Sequence, residues 1–267
     1  MGVALDLRLI DHQRIVVDGL SIVNDAIRKD DPEVLRRYLG TLPVEVDDVL
    51  VAHHRSQLAQ LRKMKAPKEI IQIAEQSLRR VSGEPYRPPA FAAANFDELR
   101  ELLGTWCWMN HCFSLDKAWA ELNWFLQPRD ATPEPPHYPM QPRVGDPTQT
   151  LFDKAIHGAE QYPCDQSGLP IIRTLGSRHA DCAGYNPPAI SAAILERLET
   201  VDATTWPGLL SKYVAMYQRA FPNFDSEMVQ EIAEGDLDAA QELFPVLKAA
   251  YQRAVNLGFG VSCEVSL

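Results

Sequence analysis

The sequence of 267 residues lacks the short motifs that identify common classes of enzyme. No glycine-rich phosphate loop follows a predicted strand, and neither Gly-x-Ser-x-Gly nor His-Glu-x-x-His occurs. These absences give no support to a nucleotide-binding enzyme, a serine hydrolase with a nucleophile elbow or a zinc protease. We therefore expect no catalytic residues and no cofactor.

Cysteine is scarce, and its spacing matches no disulfide framework. The five cysteines are an odd number, as expected for reduced thiols, so we predict no structural disulfide. Cysteine and histidine do come close together at Cys107, His111 and Cys112, and again at His179 and Cys182. Zinc sites normally use two compact ligand pairs, and this irregular spacing predicts no metal site.

Long apolar runs and a basic leader segment are also missing. No stretch approaches the roughly 20 apolar residues of a transmembrane helix, so we expect a cytoplasmic protein without membrane contacts. The chain has 36 acidic and 26 basic residues, a net charge of −10. This charge disfavours nucleic acid as a partner and favours a basic protein, although it also serves plain solubility.

Both ends of the chain alternate between apolar and polar residues, which is typical of half-buried strands. The first runs from Val3 to Leu9 and hands over to a helix at Asp11; the second covers Phe259 to Leu267. Between them the pattern is mostly helical. We predict an α+β fold, predominantly helical, whose small and mainly antiparallel sheet holds the two terminal strands as neighbours.

We predict a single domain over residues 1–267 with two additions, a helical insertion and a proline-rich loop at residues 128–147. A helical insertion covers residues 25–94, with helices near 44–63 and 67–81 and a surplus of basic residues from Arg55 to Arg87, typical of a solvated helical face. Further helices are predicted from Asn186-Pro187 to Thr200, at 209–220 and towards Gly258, and a strand at 169–177.

The stretch from Ser114 to Gln127 predicts a core helix with Ser114 as its N-cap. Its apolar side chains share one face, whereas Trp124 lies nearly opposite Leu115. A large aromatic on that side meets either a second layer of the protein or a partner. Trp124 is therefore a candidate binding residue.

Residues 128–147 contain seven prolines, which excludes a helix interior or a sheet and predicts an extended loop. Such a loop is either functional or disordered. Polyproline-like segments lose little entropy when a partner captures them. At the centre of the loop, His137, Tyr138 and Met140 are candidate partner-binding side chains.

An acidic run without lysine or arginine lies between residues 225 and 242. Like charges at this density destabilise their own helix, so a cation or a basic partner would relieve the repulsion. The alternative is a solvated face. The run consists of Asp225, Glu227, Glu231, Glu234, Asp236, Asp238 and Glu242, and we select Asp225, Glu227, Glu231, Glu234 and Asp238 as candidate partner-binding residues.

Several segments resemble the YfbM-like family of small bacterial proteins of unknown function. They are Met1-Gly2, residues 115–119 with Leu122, residues 152–158, residues 185–198, Phe221-Pro222 and residues 251–258. Family members often carry polar or histidine residues at the positions of Ala120 and Asn123, which can neither bind metal nor shuttle protons at neutral pH. The resemblance implies a mixed α+β fold with many helices and carries over no activity.

These observations favour a non-enzymatic interaction protein. The most concrete form is an immunity protein that neutralises a cognate antibacterial toxin, such as a nuclease delivered by a type VI secretion system. The alternative is a small hydrolase or metal-dependent enzyme that uses cysteine with His111, His157 or His179. Metal analysis of the purified protein would separate the two.

Overall fold

The structure is a computed structural model that describes residues 4–41, 48–81, 99, 112–115, 117–128, 144–161, 163–164, 166 and 183–266. The chain divides into two compact units, one of Met1–Leu20 with His111–Leu267 and one of Ser21–Asn110. The predicted insertion at residues 25–94 falls within the second unit. The predicted proline loop lies, from residue 129 to residue 143, outside the described residues.

The helices and strands of the described chain follow one another in the order given next. They are β1 (Ala4–Ile10), π-helical turns (His12–Gly19), α1 (Leu20–Lys29), α2 (Pro32–Leu39), α3 (Asp48–Lys63), α4 (Lys68–Val81), β2 (Cys112–Ser114), α5 (Trp119–Leu126), α6 (Leu151–His157), β3 (Glu160–Gln161), β4 (Ala183–Asn186), α7 (Pro188–Glu199), a 3₁₀ helix (Ala203–Leu209), α8 (Leu210–Ala220), α9 (Ser226–Leu257) and β5 (Gly260–Ser266).

The five described strands form one antiparallel sheet in the order β2-β1-β5-β4-β3. The terminal strands β1 and β5 pair along their whole lengths, with Leu7 opposite Cys263. Both the α+β class and the pairing of the terminal strands are therefore confirmed. Asp11 ends β1 as predicted, because its carboxylate accepts a hydrogen bond from the backbone of Arg14 and caps the following helical turns.

One face of this sheet forms the core of the first unit. Leu5, Leu7 and Leu9 of β1 line up with Val261 and Cys263 of β5, and all five are almost completely buried. Helices α5, α7 and α9 bury their apolar faces in the same cluster. The residues they contribute include Trp119, Leu122, Phe125, Ile194, Leu198, Leu247, Ala250 and Ala254.

The predicted helix at residues 114–127 begins later than the sequence suggests. Ser114 is not an N-cap but the last residue of β2, opposite Asp6, and the helix starts only at Trp119. The backbone N–H of Leu115 donates to the carbonyl of Leu5 at 2.8 Å, so this stretch continues to pair with β1. An apolar Leu115 reaches the core from either conformation, and for that reason periodicity did not separate strand from helix.

The C-terminal part of the first unit follows the remaining helix predictions closely. Helix α8 ends before Phe221-Pro222, and α9 ends at Gly258, which has φ 69° and satisfies the last carbonyls of the helix. Helix α7 begins after Pro187 without a side-chain cap, so the predicted capping role of Asn186 is wrong. The predicted strand at residues 169–177 lies outside the described residues.

The described part of the second unit contains α1 from Ser21 onwards, α2, α3 and α4. Helix α2 begins after Asp31, whose carboxylate accepts from the backbone of Glu33 and caps the helix. Helices α3 and α4 form a hairpin, joined by an ion pair of 2.7 Å between Arg62 and Glu75. Among the helices of the described ranges, none is long and apolar enough to cross a membrane.

Candidate functional site

The exposed face of α9 carries five of the acidic residues. At 100° per residue, Glu227, Glu231, Glu234, Asp238 and Glu242 fall within about 80° of the helix circumference. All five side chains are exposed. We call these five residues the acidic stripe, and at 1.5 Å per residue it extends over about 22 Å.

The helix keeps the stripe on the outside because its apolar residues lie on the other side. Val229, Ala233, Leu237, Ala240 and Phe244 are buried against the core, about 140° away from the centre of the stripe. Within the described part of the chain, no carboxylate of the stripe forms an ion pair. Glu234 accepts a hydrogen bond from Gln230 at 2.7 Å.

Two exposed apolar side chains lie where the stripe begins. Phe224 is 43% exposed and stacks on Phe221, with ring centroids 5.0 Å apart, and Met228 is 49% exposed. Asp225 lies between them and caps α9 by accepting from the backbone of Glu227 at 2.8 Å. The start of α9 thus combines negative charge with apolar surface, a composition suited to protein contacts.

Asp236 belongs to the acidic run in the sequence but not to the stripe. It lies about 180° from Glu227 on the helix and is half-buried, where it accepts a hydrogen bond of 2.9 Å from the Tyr213 hydroxyl of α8. Burial raises the pKa of Asp236, and the hydrogen bond from Tyr213 opposes that rise. The structure therefore divides the run into an exposed stripe and one inward carboxyl.

Glu121 of α5 is a second partly buried acidic residue, and it interacts electrostatically with Asp236. Burial raises the pKa of Glu121 to about 7, and the nearby Asp236 adds to the rise. The Oε2 atom of Glu121 is buried and has no hydrogen-bond partner within the described residues. A carboxyl group in this position binds a proton near neutral pH, because the ionised form loses its hydration.

Trp124 is 8% exposed and packs inside the protein, so it does not offer a surface to a partner as the candidate-site prediction supposed. Its ring contacts Tyr213 with a centroid distance of 4.7 Å and Phe125 at 5.1 Å. Helix α8 therefore supplies the second layer, which was one of the two alternatives. The remaining candidates His137, Tyr138 and Met140 lie outside the described residues.

The face of the sheet opposite the apolar core is buried and polar. Arg8 of β1 forms an ion pair with Glu264 of β5 at 2.9 Å, and Ser262 donates to Glu264 at 3.0 Å. Burial raises the pKa of Glu264, although Arg8 and Ser262 act in the opposite direction. Next to them, His12 contacts the Tyr185 hydroxyl at 2.8 Å. Sequence reasoning missed this cluster because it assigned one apolar face to each terminal strand.

A second polar group is enclosed on the core side of the sheet. Asn186 donates to the carbonyl of Lys154 and to the hydroxyl of Tyr251, which itself donates to the carbonyl of Ala155. Burial raises the pKa of the nearby Cys263 thiol to about 12, so this cysteine is not a thiolate nucleophile at neutral pH. These bonds satisfy buried polar atoms and hold α6 and α9 to the sheet.

The histidines and cysteines of the enzyme alternative are only partly described. His157 is buried beside Trp119, with ring centroids 5.6 Å apart, whereas Cys164 is exposed. His111 and His179 lie outside the described residues. Across the ranges that the structure describes, no three His, Cys, Asp or Glu side chains gather closely enough to hold a metal ion.

Comparison of the chain with models of protein families, with curated proteins and with solved structures finds no match. The YfbM-like resemblance therefore remains a prediction.

Proposed function

We propose that the protein is a non-enzymatic interaction protein that binds a basic protein partner through the acidic stripe of α9. Its most concrete form is an immunity protein that neutralises a cognate antibacterial toxin, such as a secretion-system nuclease. The observation that carries this proposal is the row of five exposed carboxylates without an ion pair in the described part of the chain.

The stripe costs the isolated protein stability, which favours a function for it. Consecutive members of the stripe are three or four residues apart, so they form four like-charged pairs along α9. Each such pair destabilises a helix by about 0.2–0.5 kcal/mol. A basic partner removes this repulsion on binding and is steered towards the stripe by its field.

The exposed apolar residues beside the stripe support a protein partner rather than a small cation. Phe224 and Met228 are the kinds of side chain that fill pockets in a facing surface. Charged contacts at the rim mainly set the association rate, whereas buried apolar contacts slow dissociation. The acidic stripe would therefore speed association with a basic partner, and Phe224 and Met228 would slow dissociation.

The first test is neutralisation. Products of genes adjacent to the one encoding this chain are expressed singly in a heterologous bacterium, with and without this protein. We expect one product to stop growth alone and to be harmless when the protein is present. Absence of any rescued toxic product contradicts the immunity function.

The second test measures how fast the rescued product binds. Reversing Glu231, Glu234 and Asp238 to lysine should slow association at least about tenfold at low salt and much less at high salt, since exposed charges act over roughly 8–10 Å. Reversal of three exposed acids away from the stripe, at Asp18, Glu160 and Glu196, is the charge-matched control. Coinciding salt curves for wild type and stripe variant would refute the role of the stripe.

The predicted proline loop at residues 128–147 is a second candidate interface. Replacing residues 133–142 with a short glycine-serine linker should then abolish neutralisation while leaving the melting temperature nearly unchanged. Loss of folding would instead show that the loop has a structural role.

A further inference from the structure

Strongly exposed large hydrophobic side chains are concentrated on two surfaces of the described protein. Met64 lies in the turn between α3 and α4, and Ile70 and Ile73 lie in the first half of α4. Their side chains are 71%, 46% and 63% exposed, respectively. Phe224 and Met228 lie at the start of α9. Val17 is the one other such residue in the described ranges. Grouped exposure of this kind marks interaction surfaces.

The two surfaces carry opposite charge in a similar arrangement. Met64 is flanked by the exposed residues Lys63, Lys65 and Lys68, and no acidic residue occurs from Arg62 to Lys68. Met228 is flanked in the same way by the acidic residues at 225, 227 and 231. Met64, flanked by lysines, therefore has a complement in Met228, flanked by acidic residues, although the first acidic residue after the lysines, Glu69, directly precedes Ile70.

We infer that a second copy of this chain is the ligand that fits these surfaces, with the α3–α4 turn of one copy docked on the start of α9 of the other. Apolar contact between Met64 and Ile70 of one copy and Phe224 and Met228 of the other excludes water from the centre. Lysine–carboxylate pairs surround that centre. Because the two docking surfaces differ, the contact is head-to-tail, and it builds open chains or closes into a ring.

The inference rests on the proposed function at one point, since both use the start of the acidic stripe. A docked copy covers carboxylates that would otherwise meet the basic partner. Self-association therefore competes with partner binding, and the basic partner must displace the docked hairpin before it can bind the stripe. The hairpin itself takes no part in binding the foreign partner.

The test is a charge exchange read out by sedimentation velocity on the full chain. The wild-type protein should exceed its single-chain mass of 29.9 kDa increasingly with concentration, and less so as salt is raised. The variant Glu227→Lys with Glu231→Lys and the variant Lys63→Glu with Lys68→Glu should each associate at least tenfold more weakly. Lys117→Glu with Arg253→Glu is the matched control and should associate like the wild type.

Mixing the two interface variants decides whether these surfaces meet each other. The variant Glu227→Lys with Glu231→Lys keeps an unaltered hairpin, and the variant Lys63→Glu with Lys68→Glu keeps an unaltered stripe. An equimolar mixture of the two should therefore associate more strongly than either variant alone. A wild-type protein that stays monomeric at every concentration, or a mixture that fails to associate, overturns the inference. Melting curves of both variants test whether each of them is folded.

The same variants keep this inference apart from the proposed function. The hairpin variant, Lys63→Glu with Lys68→Glu, should lose self-association and still neutralise the toxin. The variant Glu227→Lys with Glu231→Lys should lose both self-association and neutralisation. Loss of neutralisation in the hairpin variant would contradict the competition between self-association and partner binding while leaving the stripe as the binding surface. Self-association without any neutralised toxin would refute the proposed function alone.

Discussion

Ser262 lies on the sheet face that alternation assigns to solvent, yet it is completely buried and donates to Glu264. Alternation alone predicts only a mild effect of Ser262→Asp, whereas the burial of Ser262 leads us to expect a large one. A carboxylate at this position lies beside Glu264 in a buried environment, which disfavours both charges. We predict that Ser262→Asp lowers the free energy of unfolding by several kcal/mol, measured by urea denaturation.

Two variants at neighbouring positions serve as references for this result. Ser262→Ala removes one hydrogen bond and should cost about 1 kcal/mol. Val261→Asp places a charge in the apolar core on the opposite face, so its cost should resemble that of Ser262→Asp. A cost below about 1 kcal/mol for Ser262→Asp would show that this sheet face is open to water.

Glu121 should make stability depend on pH. Burial raises its pKa in the folded protein from 4.5 to about 7, so folding favours the protonated form. Its contribution to the free energy of unfolding is fully present below about pH 4.5 and is lost as the pH rises through about 7. Glu121→Gln keeps a neutral side chain and should be about 1–3 kcal/mol more stable than wild type at pH 8.

The measurement compares urea unfolding of wild type and Glu121→Gln from pH 5 to pH 8. The two free energies should approach each other at low pH and separate at high pH. Glu231→Gln, at an exposed position of the stripe, is the control for removing a carboxyl group. A constant difference between wild type and Glu121→Gln across the whole range would contradict a buried, proton-binding Glu121.

At the scale of elements, the sheet and α6 approach each other more closely than side chains allow. A Cβ atom on Gly184 of β4 would lie 1.8 Å from the carbonyl oxygen of His157, at the end of α6. Gly158, which follows α6, has φ 83° and faces the same contact. Backbone atoms cannot move aside as a flexible side chain does, so this contact requires glycine.

We therefore predict opposite effects for two glycine-to-alanine substitutions. Gly184→Ala should lower the free energy of unfolding by about 3 kcal/mol or more, because the new methyl group overlaps backbone. Gly235→Ala, inside α9 with open space around the new Cβ, should raise it by about 0.5–1 kcal/mol. Thermal or urea unfolding measures both, and equal effects would show that β4 and α6 are not in contact.

At the scale of the whole molecule, the excess of acidic residues should appear as a dependence of stability on salt. Reversing Glu231, Glu234 and Asp238 to lysine changes the net charge from −10 to −4 and makes the pairs 227–231 and 238–242 attractive, while the pairs 231–234 and 234–238 stay like-charged. We expect the variant to be about 1–2 kcal/mol more stable than wild type at low salt, with the difference shrinking as salt is added.

The variant with lysine at Asp18, Glu160 and Glu196 has the same net charge without touching the stripe. If the repulsion is local to α9, this control should gain less stability than the stripe variant at low salt. Equal gains in the two variants would show that only the total charge matters, and not its arrangement on the helix.

Much of the fold was predictable because the relevant signals are local. Alternating residues at both ends gave the terminal strands, and Asp11, Asp31 and Gly258 marked where helices begin and end. The acidic stripe was equally accessible, since its residues recur at helical spacing within one element. Arg8 and Glu264 carried a further signal, because opposite charges stood on the same face of two strands predicted to be neighbours, at diagonal positions of the register.

The sequence alone determined the elements that depend on spacing, capping and composition, because each of these acts within a few residues of the chain. Only the tertiary structure decided which polar groups are enclosed, because that depends on what packs over them from distant positions. Ser114 is a strand residue because this segment pairs with β1, and Trp124 is buried because α8 packs against it. The tertiary structure also separated Asp236 from the acidic run, since the opposite side of the same helix faces Tyr213 and not water.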